Sequence, residues 1–382
     1  MKIRTITAGC NISKNSREAD KKKIEQIADD LQTIKQHFTD EDYSVQTLRF
    51  STPPWESYAS TQKELDQACS LLQSYCPDCF DYFNIGPVST TDHISWLPTI
   101  LEQYPVGFCT VNLCKNNQVE LKNAWETAKL IKNIAKIEKQ GFANLRFAAL
   151  CNIQPNTPFY PASFHQGKPS FGIGCENGDI IYSAFSQADS FDEAYTLLNE
   201  RLTKEYQHIE RIARNISEKT NLTFNGIDVS ISPSVQPDES LVYGIEKLPF
   251  VDLYGGPGSL AASRLITSVL EKIVVSSCGY NGLMLPVMED MGLAQRNKEG
   301  HLTLSKLLSF SSVCGTGLDT IPLPGDSSVE NLYSILLDVA FLSTKSKKPL
   351  SARLMPIPGK KAGDLTEFDF DYFENTTVMP LE

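Results

Sequence analysis

The sequence predicts an α/β protein built as a closed barrel of about ten strands with surrounding helices. Two observations lead there. Strand-patterned and helix-patterned runs alternate along almost the whole chain, as they do where parallel strands are joined by crossover helices. The strands number about ten, more than an open twisted sheet carries comfortably. A third observation sets the domain count. No internal repeat and no low-complexity linker divides the 382 residues, so a single domain over 1–382 is expected, with 360–382 as a surface-wrapping C-terminal tail.

Residues 2–8 alternate as KIRTITA, a strand pattern ending at Gly9-Cys10. Ile24, Ile27, Ala28, Leu31 and Ile34 recur at helical spacing and predict a helix over about 17–38. Ser44 to Arg49 reads as a strand broken by Pro53-Pro54, and a helix follows over about 61–75. YFNIGPV is the next strand, with a turn at Gly86-Pro87. A helix over 92–103 opens near Asp92 as N-cap. VGFCTVNL is a strand, 117–139 a long helix, and NLRFAALCNI a strong strand. It leads into NIQPNTPFYPASFHQG, a loop with four prolines between 155 and 169, read as a pocket wall. SFGIGCE and DIIYSAF are expected to form a hairpin-like pair. A helix covers about 189–219, and GIDVSISPS is a short strand. PGSLAASRLITSVLEKIVVSS reads as a helix with Pro257 near its first position. A helix over 328–343 and the strand ARLMPIPG close the ordered part, and aromatic residues anchor the tail.

Composition excludes several classes. Hydrophobic content of 41% and charged content of 21% are those of a globular protein. A formal net charge of −11 argues against a nucleic-acid partner, which favours basic stripes. The basic run Lys21-Lys22-Lys23 sits on a helix with acids nearby and reads as a solvated face. No apolar run approaches the roughly 20 residues that span a bilayer, and the first residues lack a signal-peptide core, so a cytoplasmic protein with no membrane partner is expected. Ten cysteines then read as reduced thiols, mostly core. Cys76-Pro-Asp-Cys79 lacks the second pair a zinc site wants.

The stretch 276–326 carries the densest punctuation. Two glycine-rich turns flank apolar runs that end in acids: Glu289 and Asp290, then Asp319 and Asp326. Strand ends with isolated acids are the usual lining of a pocket. Glu289 follows a wholly apolar run, where a charge needs a partner, and is the best functional candidate of the four. These acids could divide acid and base work or hold a divalent cation, Asp290 and Asp326 being the assigned metal ligands. Capping and turn formation are the plainer alternative. Cys314, between LLSFSSV and Gly-Thr-Gly, reads as a thiol at a strand-to-glycine turn, either nucleophile or packed core. His165 is the single histidine of the proline-rich loop, placed for general base work. Gly255-Gly256-Pro257-Gly258-Ser259 opens a helix whose N–H groups could hold an anion, assigning Gly256, Gly258 and Ser259 to substrate. Lys360, after Pro358-Gly359, is a further candidate for neutralising it, against the alternative of a solvated turn.

Several blocks, in order, resemble the family called domain of unknown function 711, often labelled pyruvate-formate-lyase-like. They are KIRTITAG, NTPFYPASFHQG, GIDVSISPS, GGPGSLAA, GYNGLMLPVMED, SSVCGTGLDTIPLPGD and RLMPIPGKKAGD. The resemblance runs from residue 2 to about 364. It implies a barrel similar to that of glycyl-radical enzymes and a homo-oligomer, and it implies no particular reaction. His165, Glu289, Asp290, Cys314, Asp319, Asp326 and Lys360 fall inside the matching blocks. Cys10 and Cys278 look particular to this chain. A glycyl radical is not expected: the C-terminal glycines sit in PGKKAGD, without an RVxG-aromatic pattern, and no adjacent cysteine pair is present.

The reading is a non-radical enzyme acting on a small polar, anionic metabolite by acid/base chemistry, of lyase, isomerase or hydrolase type. Thiol or divalent-metal assistance is an option within it. The alternative is a metabolite-binding or regulatory protein on an enzyme-like barrel without turnover.

Overall fold

The computed structural model describes residues 1–14 and 17–381. The first half alternates as β1 (Lys2–Gly9), α1 (Arg17–Asp40), β2 (Val45–Ser51), α2 (Gln62–Gln73), β3 (Tyr82–Val88), α3 (Leu97–Gln103) and β4 (Gly107–Asn112). A two-stranded ladder of β5 (Cys114–Lys115) and β6 (Gln118–Val119) precedes α4 (Leu121–Ile134) and β7 (Phe147–Cys151). The second half runs β8 (Ser170–Glu176), α5 (Gly178–Phe185), α6 (Phe191–Ser217), β9 (Thr223–Asp228), α7 (Leu241–Ile245), α8 (Ser259–Leu270), α9 (Met291–Lys298), α10 (Leu304–Cys314), β10 (Gly317–Pro324), α11 (Val329–Ser346) and β11 (Leu350–Ile357).

The helices form where apolar side chains recur at helical spacing. On α6 the buried stripe is Ala194, Leu198, Leu202, Tyr206, Ile209, Ala213 and Ile216. Ser190 starts that helix by accepting the Glu193 N–H at 3.2 Å. Ser328 and Asn331 close a capping box at the start of α11.

The fold is mixed α/β with a large central sheet and helices around it. The sheet has nine strands in the order β10-β11-β7-β4-β3-β2-β1-β8-β9. Pairing is parallel except at β1–β8 and β7–β11. The sheet therefore has three parallel blocks: β10-β11 and β8-β9 run one way, and the five strands between them run the other. Each needs helical crossovers between its members, which is why strands and helices alternate along the chain.

The expected closed ladder is not formed by the named strands, whose order ends at β9 and β10. Both ends meet one further segment. Residues 276–287 run extended and make isolated parallel bridges: Ile227 to Ser277, Ile231 to Leu283, and Pro286 to Asp319. Cys278 N–H donates to Ile227 O at 3.0 Å, Met284 N–H to Ile231 O at 3.0 Å, and Val287 N–H to Asp319 O at 3.1 Å. A kink at Gly279, with φ +79°, interrupts the pattern. A Cβ on Gly279 would fall 2.1 Å from Asp228 Oδ2, so only glycine fits there.

Some local expectations are corrected. DIIYSAF is helix α5, because Ile180, Ile181, Ala184 and Phe185 share a buried helical face. The helix opened by Ser259 stops at Leu270, Pro257 lies outside it, and its β-branched tail, Ile273 to Val275, belongs to no helix or strand. LLSFSSV belongs to α10, so Cys314 ends a helix and not a strand.

The proline-rich loop turns inward. Residues 157–163 are buried. Thr7 Oγ1 donates to Pro158 O at 2.7 Å, and Asn84 Nδ2 to Pro161 O at 2.6 Å. The Phe159 ring lies on Gly174, where a Cβ would come within 2.7 Å of it. The loop thus packs against strands β1, β3 and β8 of the sheet. No helix among the described residues is long and apolar enough to cross a membrane.

Candidate functional site

A cavity of about 520 Å³ opens beside that loop. This is the size range of small-molecule sites. Strands supply its charged wall: Arg4 on β1, Arg49 on β2, Asp319 on β10 and Arg353 on β11. Glu289 joins them from the turn between residue 287 and α9. Phe159, Tyr160 and Pro161 of the inserted loop form another wall.

The charges form a chain. Arg4 Nη2 donates to Glu289 Oε2 at 2.6 Å, and Arg353 Nη2 to Glu289 Oε1 at 2.7 Å. Arg353 Nε donates to Asp319 Oδ1 at 2.6 Å. Arg4 also reaches Glu176 at 3.3 Å and Pro233 O at 3.1 Å. Glu289 is 8% exposed and Arg353 7%. At that burial each charge depends on its partner.

The lining holds four arginines, Arg4, Arg49, Arg146 and Arg353, and four carboxylates, Asp81, Glu138, Glu289 and Asp319. Glu289 and Asp319 are taken by Arg4 and Arg353. Glu138 pairs with Arg146, which also donates to the carbonyls of Leu101, Tyr104 and Gly107. Asp81 accepts the Leu48 N–H at 2.8 Å. Arg49 is left. Its Nε donates to Thr47 Oγ1 at 3.0 Å, and its guanidinium lies 5.1 Å from the centre of the Tyr160 ring. Among the described residues it has no carboxylate partner and its two Nη groups have no acceptor. Burial, with Arg4 beside it, pushes Arg49 down to about 10, so it stays charged at neutral pH.

Burial pushes the Asp319 carboxyl above its ordinary range, and the Arg353 guanidinium pulls it back. Tyr280 donates to Ser351 Oγ at 2.8 Å, and burial raises its phenol. The mouth carries aromatic residues. Phe142 meets Phe370 of the C-terminal tail at 5.2 Å between ring centres, and Phe370 meets Tyr372 at 5.4 Å.

Of the residues singled out from sequence, the cavity brings together Glu289 and Asp319. His165 is buried elsewhere, packed on Gly9 with a ring nitrogen 3.2 Å from Gly167 O, and burial lowers its pKa. Asp290 caps α9 through the Leu293 N–H at 2.8 Å and holds Ser240 and the Leu241 N–H. Asp326 is exposed in the turn before α11. Asp290 and Asp326 do not meet, and among the described residues no group of three or more His, Cys, Asp or Glu is gathered for a metal ion.

The helix start at Gly256, Gly258 and Ser259 lies outside the cavity. Ser259 Oγ accepts the Gly255 N–H at 3.0 Å and donates to Gly256 O at 2.8 Å, so that turn satisfies itself. Lys360 pairs with Glu367 of the tail at 2.8 Å. The Cys314 side chain falls outside the described residues.

Sequence reasoning passed over Arg4 and Arg49 and gave Arg353 no role. A signal was present. KIRTITA and TLRF place an arginine inside strands rich in apolar and β-branched residues, and a strand covered on both faces leaves a guanidinium needing a partner.

The family description "Uncharacterised ACR (DUF711)" matches residues 1–371. The chain belongs to the DUF711 family. Among its relatives, a UPF0210 protein of Thermoanaerobacter sp. (strain X514) is 30% identical over 63% of this chain and 55% of its own length. Across that alignment the chain thus spans about half of the relative. A UPF0210 protein of Neisseria gonorrhoeae is 27% identical over 82% of this chain and 72% of its own. One of Acetivibrio thermocellus is 27% identical over 96% and 88%. Membership of DUF711 agrees with the resemblance read from the sequence blocks. The pyruvate-formate-lyase-like label has no support from these names, which state no function.

Proposed function

We propose that this DUF711 protein binds a small anionic metabolite in the Arg49 cavity and transforms it by non-radical acid/base chemistry, of lyase, isomerase or hydrolase type. The observation that carries the reading is Arg49: a guanidinium held in a cavity wall, with neither Nη group bonded to a protein acceptor among the described residues. Arg49 is half-buried, and its free Nη groups face the cavity, where a ligand anion can reach them. Asp319 is assigned the proton transfer, since burial raises its carboxyl above the usual carboxylate range and Arg353 orients it. Glu289 holds the two arginines in place. We further read the sheet as closing into a ten-stranded barrel through residues 276–287. Its support is that one segment bridges both end strands, and that closure would leave no free edge.

The test is ligand-induced stabilisation. Millimolar panels of carboxylates and phosphates are expected to raise the unfolding midpoint of the native protein. Arg49→Met should weaken that binding by about 30-fold or more, as loss of a charge-assisted bidentate contact does. No response to any anion would refute the proposal. Mass spectrometry of incubated hits then separates turnover from binding alone.

Protonation of Asp319 removes a negative charge near the ligand site. Affinity for an anion is therefore expected to rise as pH falls through the raised Asp319 pKa, until the ligand itself protonates. In Asp319→Asn the dependence should flatten and affinity at pH 8 should increase. Calorimetry between pH 5 and 8 reads both.

A further inference from the structure

Resting on that reading, we infer that the ligand is a monocarboxylate with a flat aromatic body. Charge sets the first half. Arg49 is the single lining arginine that has no carboxylate partner among the described residues, so the wall offers one open cationic contact. A second negative charge on the ligand would face Glu289 and Asp319 across the same 520 Å³ cavity and be repelled. Donor geometry agrees. Thr47 occupies Nε of Arg49, which leaves the Nη1–Nη2 edge as an end-on fork matching the two oxygens of a planar carboxylate.

Shape sets the second half. From Arg49 an unbroken strip of rings leads away: Tyr160 under the guanidinium, Phe108 at 5.0 Å from Tyr160, and Tyr82 at 5.5 Å from Phe108. Both contacts between rings are edge-on. On the mouth side Phe142 and Phe370 add a second aromatic surface to the same cavity. A flat apolar body with its carboxylate on Arg49 gains edge-to-face and stacked contacts with individual rings of this lining. The hydroxyls of Thr316, Ser351 and Tyr280 lie in the wall that carries Asp319, and would meet a polar substituent.

The experiment is calorimetric titration of the full chain with phenylacetate, indole-3-acetate, acetate, malonate, phenyl phosphate and benzyl alcohol. Phenylacetate and indole-3-acetate should bind at least about tenfold tighter than acetate, malonate, phenyl phosphate or benzyl alcohol. Arg49→Lys, which keeps the charge and loses the fork, should lower phenylacetate affinity about tenfold or more. Phe108→Leu should reduce the aromatic advantage over acetate, with the circular dichroism spectrum and unfolding midpoint of the variant as the control against misfolding. Tighter binding of malonate or phenyl phosphate overturns the monocarboxylate, and equal binding of phenylacetate and acetate overturns the aromatic body. In both cases anion binding itself stands. If no anion binds, the parent proposal falls together with this one.

Discussion

Glu289→Ala is expected to destabilise the protein by about 3–5 kcal/mol, the usual loss when one partner of a buried ion pair is removed. Glu289 accepts from Arg4 at 2.6 Å and Arg353 at 2.7 Å, with all three side chains mostly shielded. Its removal leaves two guanidinium groups close together, with Arg4 falling back on Glu176 and Arg353 on Asp319. Glu289→Gln keeps an acceptor oxygen but loses the charge and presents an NH2 to one arginine, so it should lie between wild type and alanine. Urea denaturation followed by circular dichroism measures both. Replacing Glu289 and Arg353 together by methionine should recover part of the loss, because no uncompensated charge remains at that pair. If alanine alone costs under about 1 kcal/mol, the chain of charges is not what holds this end of the sheet.

The second large effect is expected at Asp228. This fully buried carboxylate accepts the N–H groups of Tyr280 at 2.8 Å, Asn281 at 2.9 Å and Ser230 at 3.0 Å, and the Ser230 hydroxyl at 2.6 Å. It fastens the kink of the 276–287 segment to the end of β9. Asp228→Ala leaves several buried donors without an acceptor and should cost about 3 kcal/mol or more. Tyr280, which this anchor delivers to the cavity wall, should shift as well. Phenylacetate binding is then expected to weaken in any folded fraction. Asp228→Asn keeps the shape but points an NH2 at one of the donors, so it should be milder. Thermal unfolding with a parallel binding titration separates the two consequences. An Asp228→Ala variant with native stability would show that the bridges to β9 and β10 hold the segment unaided.

Much of the architecture could be read along the chain. Alternating periodicities announced the strands and helices because burial of one helix face, or of strand residues, leaves a repeat in the sequence itself. Among the elements, two errors were local and physical. DIIYSAF is too short for its period to separate a strand from a helix. LLSFSSVC is an apolar run that either element could use. The 276–326 stretch supplies Tyr280, Glu289, Thr316 and Asp319 to the cavity lining. Its adjacent acids then part company: Glu289 faces Arg4 and Arg353, and Asp290 caps α9.

The sequence by itself determined the α/β class, the family, the helical crossovers and the wealth of turns around 276–326, all of which depend on residues near one another in the chain. Only the tertiary structure decided which charges meet. Arg4 and Glu289 are 285 positions apart, and Arg353 and Glu289 are 64 apart. No local periodicity encodes such a pair, because its energy appears only when the sheet excludes water and brings the side chains within hydrogen-bonding distance. The same packing leaves Arg49, among the described residues, without a carboxylate partner.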